Sequence, residues 1–355
     1  MVQVVGISFD HMHMGDLLRM VADCPGAEIG GVFDPNPERM AGAIEALGLP
    51  PDKVFTDFDA CMAVKPDLAI LCSATADHAT YTEKLAERGV NVFVEKPFAT
   101  NADDARRMMA AMRQVSKVLA VNWPMAWVPS HVMAKRLIDQ GMIGDLTEVH
   151  FYGGNRGPLY HLAGKVEVTA AEVEAQKPDS WWYKAASGGG SMRDYLGYGA
   201  TLGTWYRDGV APLEVTAVVD ETAGLEVDQH SVTVCRYETG LSRMETRWGT
   251  FTDPWTIQPL PGCGFNFVGT EGTLQSRDYA DHVLVQTRAK PEPHKVAVEP
   301  LPEGRRNGIE YVLGCIARGE ALTGPLDPSI SLLGQRIVDT AVRSAAEKRT
   351  LRLLD

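Results

Sequence analysis

Over the first 120 or so residues, about the length of one domain, short β-branched runs alternate with helical patterns, which predicts a parallel sheet covered by helices. Residues 2–7 read as a first strand, 15–22 as a helix, and 29–33 as a second strand ending at Asp34. Asn36 is placed to cap the next helix, with Pro37 at its first position and Gly48 closing it; Met40, Ile44 and Leu47 give that helix an apolar face. Residues 68–71, 90–94 and 118–121 predict three more strands. Between them lie a helix over 78–88, stopped at Gly89, and one opened by Asn101 with Asp103 and Asp104 in its first turn, where the helix dipole favours acid.

After residue 145 the texture changes. Residues 213–221, 229–238, 241–248, 265–268, 273–276 and 282–287 read as strands joined by short turns, and 329–348 as a closing helix. Ser231, Thr233, Cys235 and Tyr237 alternate with Val232, Val234 and Arg236, and Thr239-Gly240 is suited to closing a hairpin. The expected architecture is an α/β domain over 1–122 followed by an α+β domain over 123–355 built on a large open, mostly antiparallel sheet.

The chain has 355 residues, 45% of them hydrophobic and 23% charged, as in ordinary folded domains. A net charge of -12 argues against nucleic acid as a partner, because phosphate backbones call for clustered Lys and Arg. The six cysteines lie far apart with no CxxC pair and read as buried, reduced side chains. No apolar run approaches the roughly 18 residues of a membrane span, and the N-terminus enters a strand without a charged leader, so a cytoplasmic location without membrane contact is expected.

Chemistry gathers at strand ends. Gly6-Ile7-Ser8-Phe9-Asp10-His11 stands where a dinucleotide fingerprint would, between strand and helix; Gly6 keeps the first glycine, while Ser8 and His11 replace the other two. Asp34 ends the second strand, where a carboxylate can accept from ribose hydroxyls; its charge, with Arg39 the one cation nearby, favours NAD over NADP. His11 and His13 also form an HxH, which can open the zinc site of a barrel hydrolase. The antiparallel texture of the second half contradicts such a barrel, and no metal site is expected.

Leu71-Cys72-Ser73-Ala74-Thr75-Ala76-Asp77-His78, followed seventeen residues later by Glu95-Lys96-Pro97, resembles the Gfo/Idh/MocA family of glucose–fructose oxidoreductases and inositol dehydrogenases. The resemblance continues through Asn122-Trp123, Ile143-Gly144, Gly188-Gly189-Gly190-Ser191-Met192-Arg193-Asp194 and Gly269-Thr270-Glu271-Gly272, so it spans nearly the whole chain. It implies a Rossmann domain with NAD as cofactor, an open sheet that often mediates homodimer or homotetramer contacts, and a carbohydrate or polyol substrate. Cofactor contacts are implied for Gly6, Ser8, Phe9, His11, Asp34, Arg39, Ser73, Thr75, His78, Glu95, Lys96 and Asn122.

Lys96 matches the family's lysine between nicotinamide and substrate, Asp194 a substrate-holding carboxylate, and Tyr198 a position that is histidine in many members and tyrosine in some sugar oxidoreductases. Arg193 departs from the small or apolar residue commoner in the family. Asp194 and Tyr198 are four apart, on one face of a helix. The expected mechanism has Tyr198 accept the hydroxyl proton, Lys96 favour the phenolate as a neighbouring cation, and Asp194 hold the substrate; Lys96 taking the proton itself remains open. Trp123, Arg156 and His161 are further candidate substrate contacts, with Tyr160, Trp182 and Tyr183 as possible pocket residues. Two rival functions are a glycosidase or lyase that oxidises a sugar transiently and returns NAD unchanged, and a non-catalytic nicotinamide-binding regulator.

Overall fold

A computed structural model describes residues 1–161 and 167–355. The first half builds β1 (Val2–Ile7), α1 (Met14–Ala22), β2 (Ala27–Phe33), α2 (Ala41–Leu47), β3 (Val54–Phe55), α3 (Phe58–Met62), β4 (Leu68–Leu71), α4 (His78–Glu87), β5 (Asn91–Glu95), α5 (Ala102–Gln114) and β6 (Leu119–Asn122). These strands form a six-stranded sheet in the order β3-β2-β1-β4-β5-β6, every pair parallel. This is the Rossmann arrangement, with ligand chemistry expected along the carboxyl edge of the strands. Asn36 does cap its segment, accepting from the Glu38 amide, although the first turn is a 3-10 helix and α2 begins only at Ala41.

The second half continues with α6 (Pro129–Asp139), β7 (Leu146–Asn155), α7 (Ala170–Gln176), α8 (Ser191–Tyr206), β8 (Glu214–Val219), β9 (His230–Arg236), β10 (Leu241–Trp248), β11 (Gly264–Gly269), β12 (Gly272–Arg277), β13 (His282–Thr287), β14 (His294–Ala297), α9 (Gly308–Arg318), α10 (Pro328–Glu347) and β15 (Leu351–Arg352). Its nine-stranded sheet runs β14-β13-β12-β11-β7-β10-β9-β8-β15. Only β7 and β10 pair in parallel; the other neighbours are antiparallel. An open sheet of this kind excludes the eight-stranded barrel of a metal hydrolase.

The sequence expectation also lacked several elements, among them β3, α6, α9, β14 and β15, and two departures bear on the site. The central strand β7 was absent from it, because its buried and part-buried positions alternate only from Val149 onward and its end, Gly153-Gly154, carries no strand signal. The chain also does not divide cleanly at residue 122: Ile309, Tyr311, Val312, Leu313 and Cys315 of α9 return to the apolar layer formed by Val4, Leu18 and Ile70 of the first domain.

α8 packs on β7 and β10, where a Cβ on Gly199 would lie 2.7 Å from the Phe151 ring, so only glycine allows this approach. This contact brings the start of α8 over the carboxyl end of β5, and the catalytic candidates of the two domains meet there.

Candidate active site

Lys96 follows the last residue of β5 and Asp194 lies in the first turn of α8; their side chains form an ion pair that is 5% and 4% exposed. The helix start is fixed from outside: Asp228 accepts from the Ser191 hydroxyl (2.7 Å) and the Met192 amide (2.9 Å). Gly189 sits so close to the Trp182 carbonyl oxygen, 2.2 Å from where a Cβ would be, that no side chain fits. The second Asp194 oxygen accepts from Trp248 Nε1 at 3.0 Å, at the end of β10. Three elements thus hold the carboxylate, and the carboxylate holds the lysine.

Lys96 Nζ lies 5.7 Å from the ring centroids of Trp182 and Tyr195 and 5.5 Å from that of Tyr198. An ammonium is attracted to such ring faces. Tyr198 thus presents its ring face to the ammonium. Burial pushes the Tyr198 hydroxyl well above its ordinary pKa, and Glu95, Tyr195, Asp194 and Tyr279 add to the rise. These contributions work against the expected phenolate.

These groups stand at the floor of a cavity of about 600 Å3. Arg156 and His161 line it; both face Asp253, which accepts from Arg156 Nε at 2.8 Å and lies 3.2 Å from His161 Nε2. Arg156 also pairs with Glu167 at 2.9 Å. Tyr160 and Trp182 line the same cavity, whereas Tyr183 is buried against Trp248. Trp123 does not reach it: the indole is 2% exposed, donates to the Ser331 hydroxyl at 3.0 Å and packs edge-on to Tyr198. Its candidacy as a substrate contact is therefore corrected to a core role. Arg193 donates to the Thr100 carbonyl at 2.8 Å, tying α8 to the first domain away from this cavity.

Sequence reasoning missed Tyr195, Trp248, Asp253, Trp255 and Tyr279. The alternation Met244, Thr246, Trp248 along β10, all inward and buried, was the one available signal for Trp248.

The expected dinucleotide contacts gather at the ends of β1, β2, β4, β5 and β6, and only Phe9 and Arg39 among them retain solvent exposure. Ser8 adopts φ 63, doing there what a glycine would do. Asp34 is fully buried, accepting from the Phe9 amide (2.7 Å) and the Asn36 amide (2.8 Å). His78 bridges the Phe98 and Ser73 carbonyls, which makes it a tie between loops rather than a free donor.

Asp10 dominates the cleft. Its carboxylate accepts from the Ser8 hydroxyl (2.9 Å), the Ala74 amide (3.1 Å) and Arg39 (2.5 Å), and its carbonyl accepts from Trp181 Nε1 (3.3 Å). Glu95 accepts from Asn122 Nδ2 (2.6 Å) and contacts His13 Nδ1 (2.9 Å). Burial alone would raise the Glu95 carboxyl, but His13, Lys96 and Asn122 together hold it below its ordinary value. His11 is buried and neutral: burial, then His13, Lys96 and His78, push its pKa well down. The donors and acceptors suit a dinucleotide in kind.

Residues 1–123 match the family described as "Oxidoreductase family, NAD-binding Rossmann fold", and residues 131–275 match the GFO/IDH/MocA C-terminal domain. The chain belongs to the Gfo/Idh/MocA oxidoreductases. It is 30% identical over 123 residues to D-apiose dehydrogenase of Paraburkholderia graminis, covering 34% of this chain and 32% of that protein. It is 23% identical over 297 residues to inositol 2-dehydrogenase of Rhizobium meliloti, covering 80% of each. A solved structure of levoglucosan dehydrogenase with NADH and levoglucosan superposes with a TM-score of 0.79 at 17% identity, covering 100% of both chains, which is a likeness of fold. The match spans about a third of the length of the first curated relatives. Among the described residues, no helix is long and apolar enough to cross a membrane.

Proposed function

We propose that this enzyme is an NAD-dependent dehydrogenase moving a hydride between nicotinamide and a secondary hydroxyl or hemiacetal carbon of a sugar, cyclitol or related polyol. The observation that carries this reading is the buried Lys96–Asp194 pair on the floor of a 600 Å3 cavity walled by aromatic rings and hydrogen-bonding groups. Rings and fork donors suit the faces and hydroxyls of a polyol.

Bound NAD would supply or take the hydride; Asp34, Arg39, the Ala74 amide, Glu95 and Asn122 are the groups that would hold it. The chain's own residues move the proton. In reduction the Lys96 ammonium donates to the carbonyl oxygen, leaving a neutral amine; in oxidation that amine takes the hydroxyl proton back. Asp194 stabilises the charged form and, held by Trp248, fixes the direction of Nζ. Tyr198 acts through its ring face rather than as the base.

The test is incubation of the purified enzyme with NAD and a panel of sugars and cyclitols, monitored for NADH. Net NADH formation that Lys96→Ala lowers by roughly 100-fold, the range of a positioned acid–base group, supports the reading. Glycoside cleavage without net NADH, or normal turnover in the variant, refutes it.

A further inference from the structure

The open sheet removes the barrel hydrolase but does not dispose of the histidine pair. His11 and His13 follow β1, and the fold brings to them Glu95, the last residue of β5. One nitrogen from each ring and one Glu95 oxygen all lie within 4.8 Å of one another. His13 Nδ1 is 2.9 Å from Glu95 Oε1, and His11 Nε2 is 3.8 Å from that same oxygen.

The 3.8 Å separation is too long for a hydrogen bond. His11 Nε2 is nevertheless buried and has no hydrogen-bond partner, on a side chain that is 2% exposed. A buried polar nitrogen left this way costs stability unless something meets it. An ion bonded to nitrogen and carboxylate oxygen at about 2.0–2.2 Å would span the gap.

We propose that His11, His13 and Glu95 bind one divalent transition-metal ion of the zinc or cobalt type. Two imidazoles and a carboxylate form a ligand set of intermediate softness that suits such ions. The outer shell is in place: Asn122 Nδ2 fixes the other Glu95 oxygen at 2.6 Å, and Trp182 meets the His11 ring edge-on at 5.0 Å. The neighbouring Lys96 charge is matched by Asp194, which leaves the Glu95 charge for the ion. His13, with 31% of its side chain exposed, faces the cavity and gives an entry path.

Binding carries one rearrangement. His11 Nδ1 now accepts from the His13 amide at 3.2 Å. Ligation through Nε2 places the ring proton on Nδ1, so this long contact opens. Three protein ligands leave a coordination position for water or a substrate hydroxyl.

The full chain, stripped with chelator and free of NAD, is titrated with Zn2+ by calorimetry and with Co2+ by visible absorption. One equivalent should bind, and binding should weaken by roughly 10- to 100-fold or more in His11→Gln, Glu95→Gln and His13→Ala, as loss of a ligand exceeds loss of an outer-shell partner. Circular dichroism checks the two buried-site variants, and His13→Ala, at a part-exposed position, keeps the test valid if either fails to fold. Absence of stoichiometric binding by the wild type, or unchanged binding in His13→Ala and the folded variants, overturns the site. An NAD titration of the metal-free protein is run separately, so failure of the cofactor reading and failure of the metal site are told apart.

Discussion

Removing the Asp10 carboxylate should tighten NAD binding. Asp10 accepts at 2.9 Å from Ser8, at 3.1 Å from the Ala74 amide and at 2.5 Å from Arg39, donors that an incoming dinucleotide needs. A hydrogen bond to a charged group contributes about 1.5–3 kcal/mol. Arg39 is 46% exposed on its side chain, so its share is small, and two inner contacts set the scale. Because the cofactor replaces part of what Asp10 gives up, a net gain of about 1.5 kcal/mol is expected for Asp10→Ala, roughly tenfold in Kd. This is the effect of raising the fraction of molecules in which those donors are free. Quenching of tryptophan fluorescence or calorimetry measures it directly, and amide exchange over residues 8–13 should rise in the variant. Equal or weaker NAD binding by Asp10→Ala would refute the argument and make Asp10 a ligand of the bound cofactor. Failure of both proteins to bind NAD would instead remove the cofactor reading.

Tyr198→Phe should leave the alkaline limb of the pH–rate profile unchanged up to pH ~10, because burial raises the hydroxyl above its ordinary pKa near 10 and it stays protonated throughout; loss of an alkaline inflection in the variant would restore Tyr198 as the base. Asp194→Asn leaves the Lys96 ammonium buried without its counter-ion and should destabilise the fold by about 3–5 kcal/mol, read by denaturant unfolding; a shift under 1 kcal/mol, the scale of exposed pairs, would show that water reaches the pair. NAD should bind more tightly than NADP, since Asp10 and Asp34 both confront a 2′-phosphate and Arg39 already pairs with Asp10; equal affinities in parallel titrations would count against that assignment.

Much of the first domain was legible because its signals are local. Strand runs, the Asn36 and Asn101 caps and the stops at Gly48 and Gly89 each act within a few residues, and each is present in the fold. The antiparallel strands from β8 to β13 were legible for the same reason, by alternation and by the turn at Gly240, which has φ 83. β7 was not, since its partners β10 and β11 lie about a hundred residues downstream and its residues carry no turn of their own. The meeting of Lys96 with Asp194 was legible only through family resemblance; nothing within either segment says that they touch across 98 positions. Trp123 shows the converse error: a motif residue beside the site in sequence is turned away from it by Ser331 of α10.

The Rossmann edge and the α8 start explain why the chemistry sits where it does. Neither domain alone builds the pair: Lys96 needs β5 for its backbone, whereas Asp194 needs Asp228 from the loop before β9 and Trp248 at the end of β10. The ion pair is buried because the domains pack, and the rings of Trp182, Tyr195 and Tyr198 that surround it all come from the second domain. Asp10 also spans the boundary, since Trp181 of the second domain donates to its carbonyl. Its carboxylate stays within the first domain, on Ser8, Ala74 and Arg39, so the tie to the second domain is made by backbone alone. The short loop of residues 9–13 touches both domains by side chain as well, His13 meeting Glu95 of β5 and His11 meeting the Trp182 ring.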